Sequence, residues 1–125
     1  DTDYIIKTFL AAKRVLGVEE CCYYYRTNED STTQSYISPI KLAWRVNQLV
    51  RCSQLIKKAK SSKAKQIIQE MVSNSLSQLR KEIKNFSSKQ KKEYVQYITK
   101  DIKTCKPFMS WRTWLAIRYG IMWFV

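Results

Sequence analysis

The sequence predicts an all-α fold, a compact bundle of five or six helices in a single domain spanning residues 1–125. Three observations predict it. Two glycines and two prolines in 125 residues leave too few tight turns for a sandwich or barrel. The 45% hydrophobic content, including sixteen aromatics, is enough for a core and excludes a disordered chain. Apolar residues recur with a period near 3.6 over most of the length.

Asp3 is placed to cap a first helix over residues 4–16, where Tyr4, Ile5, Phe9, Ala12 and Leu16 share a face and Gly17 offers a left-handed stop. Residues 18–26 read as a short second helix, with Glu19 and Glu20 at its positive end. Thr27 to Tyr36 is polar and aperiodic and reads as a surface loop. Ser38 followed by Pro39 opens a helix whose stripe Ile40, Ala43, Val46, Leu49, Val50 and Leu55 runs to about Lys58 and carries Cys52. Ser61 or Ser62 caps the next helix, where Ala64, Ile67, Ile68, Met71, Val72, Leu76, Leu79, Ile83 and Phe86 keep helical spacing for over five turns. Ser87 or Ser88 opens a fifth helix ending near Cys105 and Pro107. Ser110 caps a last segment, residues 111–125, with three tryptophans. Its length and its arginines, Arg112 and Arg118, exclude a membrane span, leaving a core helix or one lying in a membrane interface.

Four cysteines constrain the chain further. Cys21 and Cys22 are adjacent, and a trans peptide between neighbours sets their sulfurs poorly for a mutual bridge. Each is expected to reach one of Cys52 and Cys105, giving 21–52 with 22–105 or 21–105 with 22–52. On a helix the two side chains point about 100° apart, toward different neighbours. Either connectivity closes loops of roughly 30 and 80 residues, each contributing about 3–4 kcal/mol through loop-closure entropy. Such bridges imply an oxidising compartment, and Asp1 in place of Met fits a secreted chain whose leader has been cleaved. The alternative is four buried free thiols. Asn85-Phe86-Ser87 is a glycosylation sequon, in keeping with secretion.

The formal charge is +13, with 23 Lys and Arg against 10 Asp and Glu. Residues 1–30 hold four basic and six acidic side chains, so the cationic excess belongs to the later elements. From Lys41 to Gln69 eight basic residues occur without one acid. Within that stretch Lys57, Lys58, Lys60, Lys63 and Lys65 form a tract that either binds anionic glycans, phosphate polymers or an acidic protein groove, or keeps the surface solvated. Lysine outnumbers arginine, favouring loose attraction over bidentate recognition, and no specific nucleic-acid motif accompanies it. The run Tyr23, Tyr24, Tyr25 follows directly on Cys21 and Cys22 and is expected to spread its rings around the helix beside the bridges. Two of its rings fill space there, and one, assigned to Tyr24, is expected at an interface.

The absence of histidine removes the commonest general base and metal ligand. The glycines, at Gly17 and Gly120 alone, exclude phosphate-binding loops. The cysteine spacing fits no zinc template. No catalytic, metal or cofactor site is expected, and the chain reads as a binding protein rather than an enzyme.

A basic, all-helical chain of this size, with four cysteines of which two adjoin and an aromatic tail from Trp111 to Val125, resembles the small salivary proteins of anopheline mosquitoes typified by albicin and anophensin. That resemblance implies secretion in saliva and evasion of host defence. The implied target is the C3-cleaving convertase of the alternative complement pathway, or else contact-pathway (kallikrein–kinin) activation on anionic surfaces.

Overall fold

The computed structural model describes residues 2–20 and 37–121, and among these every regular element is a helix, with no strand. Five α-helices are α1 (Thr2–Ala11), α2 (Pro39–Gln54), α3 (Ser62–Lys84), α4 (Ser88–Tyr97) and α5 (Trp111–Tyr119). Two 3₁₀ segments, Leu55–Lys58 and Lys100–Phe108, complete them.

Serine hydroxyls start four of the helices in the way the sequence indicates. Ser38, Ser61, Ser87 and Ser110 accept from the amides of Lys41, Ala64, Gln90 and Thr113. Each satisfies an amide that the helix itself cannot. At Ser87 the Gln90 side chain also accepts from the serine amide at 2.8 Å, closing a capping box.

The helix α2 lies at the centre, packed against α1, α3, α4 and the second 3₁₀ segment, while α3 supports α5. Its Leu42, Ala43, Val46 and Cys52 are fully buried, and they meet Val72, Leu76 and Ile83 of α3, Tyr94 of α4, and Ile102 and Cys105. Fully burying each aliphatic side chain of this set contributes about 1.5–3 kcal/mol. Buried Tyr94 donates from its hydroxyl to the Ile117 carbonyl at 2.7 Å, so the phenol ties α4 to α5. Burial pushes its ionisation far above the ordinary range.

Several elements stop earlier than periodicity indicates. The first helix ends at Ala11 instead of Leu16, because α1 packs only through Ile6 and its neighbours while residues 11–20 are exposed. A short helix without a tertiary partner is marginal. Asp3 lies inside the first turn, not at a cap, and accepts an ion pair from Lys7 at 3.0 Å. Gly17 is no left-handed stop. That role falls to Gly120, at φ 66°, whose amide donates to the Ala116 carbonyl at 2.8 Å and ends α5 well before residue 125.

The fifth predicted helix breaks at Ile98, which is extended with its side chain buried. Asn47 of α2 holds the break. Its Nδ2 donates to the Tyr97 carbonyl at 2.9 Å and its Oδ1 accepts from the Thr99 amide at 3.0 Å. Thr99 then caps the 3₁₀ segment through Asp101. The expected second helix is absent over residues 18–20, and its remainder, like the polar loop at 27–36, lies outside the described residues.

Candidate functional site

The lysine tract sits on a corner between two helices. Lys57 and Lys58 end the first 3₁₀ segment, Lys60 lies in the connection, and Lys63 and Lys65 open α3. Buried Leu55 and Ala59 pin the connection from below, the Ala59 amide donating to the Ile56 carbonyl at 3.2 Å. Ser61 fixes the entry to α3 through the Ala64 amide at 3.1 Å. All five lysines are exposed, and among the described residues none forms a hydrogen bond or ion pair.

The placement is electrostatically unfavourable for the protein alone. Lys63 and Lys65 occupy the positive end of the 23-residue α3, whose first turn has no acid. Cations there cost a few tenths of a kcal/mol each. A bound anion would reverse that sign, meeting the lysines and the first-turn amides together.

Packing adds cations that position in the sequence does not group. Arg51 and Lys7 line a shallow depression with Lys58, Gln54, Leu55 and Asp3, so α1 and the end of α2 extend the corner. The hydrogen bond from Lys7 holds the Asp3 carboxyl below its ordinary range, leaving it ionised against its basic neighbours. Arg51 belongs to the acid-free stretch and could have been suspected, whereas Lys7 joins only through the α1–α2 contact.

The other predicted residues divide. Cys52 and Cys105 are fully buried free thiols, and burial raises the ionisation of both. They flank one point of α2: Cys105 Sγ donates to Ser53 Oγ at 3.3 Å, and Ser53 in turn donates to the Val50 carbonyl at 2.6 Å. Cys52 lines a cleft of about 290 Å³ between α2 and α3, with Leu49, Ser75 and Leu79 among its walls. Cys21, Cys22 and Tyr24 lie outside the described residues. Asn85 is exposed at the end of α3, where a glycan would clear the body, while Phe86 is buried and Ser87 is engaged as a cap.

The predicted tail helix packs one face, through buried Thr113, Ala116 and Ile117. Its outer face pairs cations with rings: Arg112 lies 5.4 Å from the Trp111 ring centroid and Arg118 5.3 Å from that of Tyr119. Among the described residues no helix is long and apolar enough to cross a membrane.

Fold and surface together define a small helical body with a rigid cationic corner. Comparison with protein-family models, curated proteins and solved structures yields no match.

Proposed function

We propose that the chain is a secreted, non-enzymatic binding protein that docks its lysine corner on an acidic face of a host-defence complex. The target suggested by the resemblance is the C3 convertase of the alternative complement pathway, blocked by obstruction of substrate access. One observation carries the reading: Lys57, Lys58, Lys60, Lys63 and Lys65 project from a pinned corner without an acidic partner among the described residues. A solvated face needs no such fixed frame, whereas a docking surface gains affinity when its contacts lose little freedom on binding.

Extracellular stapling belongs to the same proposal. The Ser53–Cys105 contact limits the Cα atoms of Cys52 and Cys105 to a separation on the order of 12 Å or less. Two adjacent cysteines, each within about 7 Å of its partner's Cα, span up to roughly 17 Å. The Cys52–Cys105 separation is compatible with Cys21 and Cys22 each bridging one of the two thiols, both of which are free in this structure.

The cation–ring pairs on α5 favour a second reading, adsorption to anionic glycans or membranes with interference in contact-pathway activation. Lysis of erythrocytes by the alternative pathway, run beside binding to heparin and to assembled convertase over a range of salt, separates the two. A packed inhibitor blocks lysis at micromolar protein and persists at physiological ionic strength, while a charge-only binder loses affinity steeply. Heparin binding without any inhibition of lysis rejects the convertase as target.

A further inference from the structure

Against α3, the first helix leaves a slot that the lysine corner does not explain. The helix α1 rests on α2 and the first 3₁₀ segment, and on its other side a cavity of about 440 Å³ opens toward α3. Ile6 and Ile68 form its buried floor, Ile5, Phe9 and Ile67 its rim, and Ala64 lies on the wall nearest the start of α3. Every side chain lining it is apolar. The rim residues Ile5, Phe9 and Ile67 are 51%, 57% and 57% exposed, leaving much apolar surface in water.

The slot lies within the size range of small-molecule sites, roughly 300–1,000 Å³. Water there finds no polar side chain to bond, so an apolar occupant is favoured. Charge fixes the other half of the occupant. Lys63 stands four residues before Ile67 on the same face of α3. Side chains on a helix lean toward its N-terminus, so an exposed lysine one turn before Ile67 can bring its ammonium to the Ala64 end of the slot, near the amides that open α3. Lys63 is exposed and makes no ion pair among the described residues, and no acid lines the cavity. The nearest carboxylate along this part of α3, Glu70, accepts from Gln66 at 2.8 Å.

We infer that the slot between α1 and α3 takes a free single-chain anionic amphiphile, such as a long-chain fatty acid. The hydrocarbon lies along the Ile6–Ile68 floor, and the carboxylate meets Lys63. The site shares Lys63 with the lysine corner, but its apolar floor and its fatty-acid titration do not rest on the convertase proposal.

The test titrates the full chain with a fluorescent fatty acid below its micellar concentration and displaces it with oleate or with oleyl alcohol. Saturable one-to-one binding is expected. Ala64→Trp, which fills the wall, weakens it at least about tenfold with unchanged far-UV circular dichroism. Lys63→Glu weakens oleate about tenfold while leaving the uncharged alcohol unaffected. If Ala64→Trp fails to fold, Ile67→Glu on the exposed rim makes the same test. The proposal is overturned if binding is not saturable, if filling the wall changes nothing, or if alcohol and acid bind alike. It is equally overturned if the protein binds anionic vesicles and not the free acid, or if a second copy of the chain occupies the slot in sedimentation.

Discussion

Replacing Asn47 with alanine tests the idea that a single amide side chain sets the boundary between α4 and the 3₁₀ segment after it. Asn47 spends its donor on the Tyr97 carbonyl and its acceptor on the Thr99 amide, at 2.9 and 3.0 Å. Each such bond is worth about 1 kcal/mol net, so Asn47→Ala should lose about 2 kcal/mol. For a chain of this size that is a fall of roughly 6–10 °C in Tm. Asn47→Asp separates the two bonds. At neutral pH the carboxylate still accepts from Thr99 but sets an oxygen against the Tyr97 carbonyl, so stability falls. In acid the protonated carboxyl can donate again; the carboxylate's clash raises its folded pKa above the ordinary Asp value of about 3.9, so the deficit relative to the parent should shrink as pH falls toward that value. Urea unfolding followed by circular dichroism measures both variants, and hydrogen exchange at Thr99 reports the bond itself. A loss under about 0.5 kcal/mol for Asn47→Ala, or Thr99 protection that falls no further than that of Leu76, would refute the reasoning.

Tyr94→Phe should lose about 1–3 kcal/mol at neutral pH, because the Ile117 carbonyl is left buried without its donor. Folding raises the Tyr94 ionisation above its ordinary value of 10.0, so the phenol's contribution is complete below that pH and drains away as pH rises beyond it. The gap between parent and Tyr94→Phe, measured by urea titration, should therefore narrow above pH 10; a constant gap contradicts the assignment. Gly120→Ala places a Cβ 3.3 Å from Lys91 Cβ and forces an L side chain to φ 66°, for a cost of about 1–2 kcal/mol in thermal melts. Peptide mapping under non-reducing conditions should find Cys21 and Cys22 joined separately to Cys52 and Cys105. Rapid alkylation of all four sulfurs in the native protein would remove the staple.

Four helix starts were legible in the sequence because a serine hydroxyl acts locally: Ser38 and Ser110 cap as expected, and Ser61 and Ser87 are the capping members of the two pairs left open, whereas Asp3 lies inside its helix. The α3 stripe was legible for a related reason: Ile68, Val72, Leu76 and Ile83 bury one continuous face. Helix ends were less so. The break at Ile98 depends on Asn47, fifty residues before Tyr97, and α1 ends where the chain passes into a stretch with no buried side chain. Neither cause is local. The lysine corner was visible as an acid-free run that includes Arg51, but the addition of Lys7 and the apolar slot beneath α1 arise only from packing.

The most direct test of the account reverses charge at the corner. The variant Lys57→Glu, Lys58→Glu, Lys60→Glu should melt within about 1 kcal/mol of the parent, since these side chains are exposed and make no bond among the described residues. Its affinity for immobilised alternative-pathway convertase, measured by surface plasmon resonance at physiological salt, is expected to fall at least tenfold, about 1.4 kcal/mol. A folded variant that binds as tightly as the parent would contradict the lysine corner as the docking surface.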